Sequence, residues 1–210
     1  MNKYDRRVQR TRRNLREALF ALVREKGYDA ITIEDITNRA ELGRATFYLH
    51  YHDKESLLLE SIEVVASDLI AQIDQVSPDV MDSSVHSGPN VVIRQVFQYA
   101  ADQSDLFRTI LRGEVASRAT ARIQQIIRET SMSLLQPRLA RLGSNYQPPV
   151  PLDVFSNYLA GALLSFLAWW LEEDQPYTPD EMHHMFVRLF FGGALTALGI
   201  SQTSGLDDIR

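Results

Sequence analysis

The sequence contains no cysteine. That excludes disulfide scaffolds, thiolate zinc sites, cysteine nucleophiles and thiol redox sensing, and it fits a reducing cytoplasm. No two glycines are separated by a single residue, so Gly-x-Gly-x-x-Gly dinucleotide loops are missing, as are P-loops and Gly-x-Ser-x-Gly elbows. The basic start MNKYDRRVQRTRR has no apolar segment after it and does not read as a secretory signal. The longest apolar run, residues 159–171, has 13 members including Ser165, short of the ~20 that cross a bilayer. His183 and His184 are adjacent, so on a helix they point about 100° apart and cannot chelate one ion as an i, i+4 pair does. These absences lead us to expect no membrane partner, no metal, no cofactor and no enzymatic activity.

What is present is ordinary in amount and uneven in placement. Of 210 residues 45% are hydrophobic and 23% charged, which suits a globular protein of one large or two small domains. The net charge is −5, yet residues 1–56 carry 12 Lys and Arg against 9 Asp and Glu. Seven of those cations fall within the first 16 residues, opposed by Asp5 alone. A basic head on an acidic body binds polyanions through the head only.

Periodicity predicts an all-α chain of about nine helices. A first helix runs from Arg10 to Lys26, with Leu15, Ala18, Leu19 and Leu22 on one stripe and Gly27 as its stop. Thr32 caps a short helix through Ile33, Ile36 and Ala40; Glu41-Leu42-Gly43 turns the chain; Arg44–His50 forms another. A long helix follows from Asp53 to about Asp74, then a polar loop over 75–90. Further helices are expected over 91–103, 105–111 and 115–142, the last kinked or split at Pro137. Two strongly apolar helices, 152–173 and 180–200, close the chain.

Residues 32–50 match a helix-turn-helix held together by Ile33, Ile36, Ala40, Leu42 and Phe47. The second helix is about 10 Å long at ~1.5 Å per residue, enough to lay its first turn in a major groove. It turns Arg44, Ala45, Thr46, Tyr48 and His50 toward the groove or the flanking backbone. Arg44 can grip guanine O6 and N7 or a phosphate, and Thr46 can hydrogen-bond or meet a thymine methyl. Tyr48 suits the sugar-phosphate chain. Lys54 and Thr32, at helix starts, are expected to hold phosphates, and Arg10 and Arg13 of the basic arm to add backbone or minor-groove contacts.

The segment ITIEDITNRAELGRATFYLHYHDKESLL resembles the DNA-binding segment of the TetR (tetracycline repressor) family of bacterial regulators. Matching positions are Thr32, Ile36, Ala40, Thr46, Phe47, Tyr48, His50, Tyr51, Lys54 and Leu57. The chain departs at Thr37, where the family has alanine, at Glu41, where it has the turn glycine, and at Gly43, where serine is common. Farther on, NYLAGALLSFLAWWLEEDQPYTPDEMHHMFVRLF is similar to the C-terminal region of the subgroup typified by the dihydroxyacetone kinase regulator DhaS.

The resemblance implies a helix-turn-helix DNA-binding domain over 1–56 and a helical ligand-binding and dimerisation domain over 57–210. It implies a homodimer on a palindromic double-stranded DNA operator, acting as a repressor released by an unknown small-molecule effector. The alternative is a co-activator or adaptor controlled by a protein partner. Phe97, Phe107, Ile127, Phe166 and Trp170 are the candidate effector-pocket residues. Tyr158, Gly161, Ala168, Trp169, Phe190, Gly193 and Ala197 are the candidate dimer interface, the small residues permitting close helix approach.

Overall fold

The computed structural model describes residues 3–74, 87–112, 115–141 and 146–197, with the side chains among them except those of 3–4, 72–74, 87–91, 109, 138 and 191–197. Among the described residues every regular element is a helix: α1 Lys3–Lys26, α2 Ile33–Arg39, α3 Arg44–Tyr48, α4 Lys54–Asp74, α5 Ser87–Asp102, α6 Ser104–Arg112, α7 Ala116–Arg141, α8 Leu152–Glu172 and α9 Pro179–Ala197. The all-α expectation and the element order hold. Contacts divide the chain into two compact units, one of Met1–Asp68 with Asp102–Arg122, the other of Leu69–Ala101 with Ile123–Arg210. The expected boundary after residue 56 therefore falls inside α4, and α4 and α7 each continue from one unit into the other.

α1 begins seven residues before the expected Arg10, so the basic arm is the first two turns of a helix. Arg, Lys and Gln are good helix formers, and neither glycine nor proline interrupts residues 3–26, so the turns need no apolar stripe. Gly27 ends it at φ +75°, its N–H donating to Val23 O at 2.9 Å. α2 starts with a full capping box: Asp35 N–H donates to Thr32 Oγ1 at 3.1 Å, and Thr32 N–H donates to Asp35 Oδ2 at 2.8 Å. The turn after α2 places Glu41 at φ 55°, a left-handed conformation that glycine adopts without strain. Thr37 is buried, and its hydroxyl donates to Glu34 O at 3.1 Å, so this departure is satisfied locally.

In the first unit α1 packs on α2 and α6, and α2 on α3. Leu15, Leu19, Ile36, Phe47, Leu57 and Leu58 are fully buried at its centre, with Leu106 and Ile110 of α6 and Ala119 of α7 joining them. Arginines fasten α4 from two sides: Arg12 of α1 to Glu60 at 3.3 Å, and Arg118 and Arg122 of α7 to Glu55 and Glu63 at 2.6 and 2.9 Å.

In the second unit α8 packs on α9. α5 starts at Ser87, inside the expected loop over 75–90, and takes Pro89 into its first turn, where a missing N–H costs nothing; residues 75–86 lie outside the described ones. α7 runs through Pro137 and is not split there. Residues 198–200 of the expected last helix also lie outside the described ones. α8 is long and apolar enough to cross a membrane by length and mean hydropathy (1.4 over its most apolar window). The short run at 159–171 understated this, because the helix extends beyond it. One face of α8 is nonetheless a core seam of Phe155, Ala160, Leu163, Leu167, Trp170 and Leu171. Trp170 donates its indole N–H to Tyr177 O at 2.9 Å, and Thr178 caps α9 through Glu181, whose N–H donates to Thr178 Oγ1 at 3.3 Å. The WW…YTPDEM string is thus a built α8–α9 corner: indole lock, cap, proline at the first helical position, and buried Met182.

Candidate nucleic-acid interface

α3 is held from below by one side chain. Phe47 is fully buried, edge-on to Tyr48 at 5.6 Å and tilted against Tyr51 at 5.8 Å. Anchoring Phe47 turns the opposite face of α3 outward: Arg44 and Ala45 are exposed, Tyr48 is 59% exposed, and Thr46 and His50 are half-buried. Leu49, which the reading of the sequence passed over, is 81% exposed. Its signal was available, since it lies one turn beyond Ala45, but a leucine at a helix end reads as core by default.

Arg44 lends its guanidinium to Glu34 of α2 at 3.1 Å, with both side chains more than half exposed. Such a surface pair is worth only ~0–1 kcal/mol, so a phosphate or guanine can take the arginine over. Arg10 on the first turns of α1 is exposed, and Arg13 pairs loosely with Glu17 at 3.6 Å. His50 lies near Arg12; burial first and the guanidinium second hold its imidazole below the usual histidine range.

Two expected phosphate ligands are engaged elsewhere. Lys54 aims its ammonium into the turn after α1, donating to Tyr28 O and Ile31 O at 3.0 Å and Asp29 O at 3.3 Å, above the Tyr28 ring at 4.4 Å. All three protons are used, so the ammonium is a structural strap. What Lys54 leaves for a phosphate is the backbone at the start of α4, beside the Asp53 carboxylate that accepts from Ser56 N–H at 2.7 Å. Hydrogen bonds from Ser56 hold that carboxyl below its ordinary range. Thr32 spends its hydroxyl and N–H on Asp35, whose carboxyl is held low first by the Lys26 ammonium at 2.8 Å and then by Thr32.

The expected pocket residues fall in both units. Phe97 and Trp170 are fully buried with ring centroids 5.6 Å apart, and Phe166, half-buried, lies 6.4 Å from Phe97. Ile127 is half-buried on α7 in the same unit, whereas Phe107 sits on α6 in the first unit. Phe97 and Trp170 are therefore core rings in mutual contact.

The expected dimer residues also divide. Tyr158 and Trp169 are 60% and 43% exposed, and Gly161 and Ala168 are half-buried. Among the described residues a Cβ added at Gly161 would meet nothing within 4 Å, so this glycine allows no close approach among them. Phe190 is buried inside its own unit, stacked on Phe186 at 5.5 Å and packed on Phe155 at 5.4 Å. Gly193 and Ala197 lie in α9 but outside the described side chains. Sequence reasoning did not mark Val154 and Leu189, which are 54% and 70% exposed.

Known proteins are similar to this chain in sequence or in fold. The HTH-type transcriptional regulator YxbF of Bacillus subtilis is 24% identical over 191 residues, which cover 88% of this chain and 45% of that protein; the chain thus spans under half of that relative's length. A TetR-family regulator from Syntrophomonas wolfei superposes with a TM-score of 0.70 at 18% identity, over 93% of this chain and 99% of that one. The dihydroxyacetone kinase operon activator DhaS gives 0.65 at 15% over 92% and 98%, and Bacillus subtilis FadR in complex with stearoyl-CoA 0.61 at 14% over 90% and 98%. Residues 89–192 match the family described as transcriptional regulator C-terminal region. Residues 15–61, which carry the buried Phe47 and the outward face of α3, match the bacterial regulatory proteins of the tetR family, and to that family of DNA-binding transcription regulators this chain belongs.

Proposed function

We propose that this protein is a repressor that binds a palindromic operator as a homodimer in the bacterial cytoplasm and leaves it when a small molecule binds. Residues 1–56 are the DNA-contacting module in this reading, and residues 57–210 sense and dimerise. The observation that carries it is the outward face of α3, where Arg44, Ala45 and Tyr48 stand clear of the core that Phe47 enters. Arg44 reads a guanine edge or a phosphate, Tyr48 and His50 line the sugar-phosphate chain, and Arg10 and Arg13 add cations. Lys54 contributes the backbone of the α4 start, its ammonium being occupied. Exposed Tyr158 and Trp169, with Gly161 open beside them, supply the apolar surface that a second copy covers. The effector is an apolar or part-apolar compound lodged in the second unit, where Phe166 is half-buried beside the Phe97–Trp170 rings and Ile127 is half-buried on α7. α4 and α7, the helices that continue from one unit into the other, are the chain routes for coupling. Effector release then equals its difference in affinity for the two conformations.

The test is retardation of genomic fragments captured by the purified protein. Arg44→Ala and Tyr48→Ala should each weaken binding about tenfold or more without moving the melting temperature. Binding should also fall steeply with salt, as counterion release requires. Unchanged retardation by both variants would sink the reading. Acyl-CoA thioesters, carried by the similarly folded FadR, are the first effector probes. One that raises the melting temperature and releases the fragment supports an induced repressor. A fragment released by no ligand, but retained more tightly with a protein partner, would instead favour a co-activator.

A further inference from the structure

Two outward side chains, Ala45 of α3 and Leu49 at its C-terminal cap, carry no hydrogen-bonding group. Ala45 is exposed, and Leu49 is 81% exposed, although leucine is among the side chains most often buried. Leu49 N–H donates to Ala45 O at 3.2 Å, so the two stand one helical turn apart on the same face. They form a short apolar column beside a second, polar column made by Arg44 and Tyr48. A single exposed leucine is ordinary on a protein surface. This one lies on the short helix that a helix-turn-helix presents to the major groove, and one base there offers an apolar partner: thymine, through its 5-methyl group.

We propose that Ala45 and Leu49 set the protein's base preference by packing against thymine methyls. Their Cβ atoms are about 5–6 Å apart, between one and two base-pair steps of ~3.4 Å, so each half-site carries two thymines at adjacent or next-adjacent positions. Leu49 contributes contact area, and Ala45 brings the helix close enough for that contact. Arg44 and Tyr48 hold the register.

The inference rests on the DNA-binding role of α3, and the experiment separates the two. The full-length protein selects duplexes from a random pool, and each thymine of a tightly bound duplex is replaced in turn by deoxyuridine, which lacks only the methyl. The wild type should lose about fourfold at one or two thymines per half-site, equivalent to the ~0.8 kcal/mol of one buried methyl. Leu49→Ala should bind the parent duplex about that much more weakly and become indifferent at one of those thymines. Leu49→Met, which keeps the apolar reach, should retain the sensitivity. Neither variant should move the melting temperature, because the side chain touches little of its own chain. Wild-type indifference to every deoxyuridine overturns the proposal, as does a Leu49→Ala protein that keeps the full loss at all sensitive positions. A wild type that enriches no duplex overturns the DNA-binding role itself.

Discussion

Lys54 shows how one contact reassigns a residue. A lysine opening a helix beside a recognition helix reads as a phosphate ligand, and only the path of the turn after α1 reveals three carbonyls converging on its ammonium. Removing it strands those carbonyls in a half-buried place. Lys54→Met should therefore lower unfolding free energy by about 2 kcal/mol in denaturant titrations, whether or not DNA is present. Loss of DNA binding with unchanged stability would restore the ammonium to a phosphate. His50 carries the pH dependence at this scale. Its folded-state pKa is depressed, first by burial and then by Arg12, so near neutrality the unfolded chain binds more protons. The stability this adds is complete above the unfolded value of about 6.5 and is lost as pH falls below it toward the folded value. Melting temperatures compared at pH 7.5 and 5.5 should show a smaller drop in His50→Gln than in the wild type.

Among elements, the Thr32 cap was legible in the sequence, and the structure adds a second cap at Thr178. Thr32 and Asp35, and again Thr178 and Glu181, are three residues apart in front of apolar runs, and each pair closes a capping box. The first is reinforced by Lys26 on Asp35. α2 has only seven residues, so its start depends on this box more than that of α9, which has nineteen. Thr32→Ala should cost about 1 kcal/mol, read from chemical denaturation, and Thr178→Ala no more than that. Element ends without such chemistry were misplaced. The first two turns of α1 have cations and no stripe, so periodicity could not detect them although propensity alone builds them. Gly88-Pro89 reads as a turn but serves as a helix start, because the first turn tolerates proline.

Across the whole molecule, the division into units follows packing. α6 and the first turns of α7 are distant in sequence from the helix-turn-helix, yet Leu106, Ile110 and Ala119 complete its core. The second unit exposes Tyr158 and Trp169, which the proposed dimer covers. Tyr158→Glu with Trp169→Glu should raise the dimer dissociation constant by at least about 100-fold in sedimentation equilibrium, with helicity unchanged. A double variant that sediments like the wild type would place the interface elsewhere.

By itself the sequence determined the all-α class, the helix-turn-helix over 32–50 and the family, because these rest on local signals: caps, period and the spacing of a few side chains along a short stretch. It also marked which face of α3 turns outward, since burying Phe47 turns Ala45, on the opposite side of the helix, toward solvent. Only the tertiary structure decided what those signals leave open. It turned Lys54 inward to three carbonyls, closed Phe97 and Trp170 into core contact and drew Phe190 into its own unit. Each of these depends on which surfaces meet across tens of residues, and an apolar or charged side chain carries no local mark of the neighbour it will find.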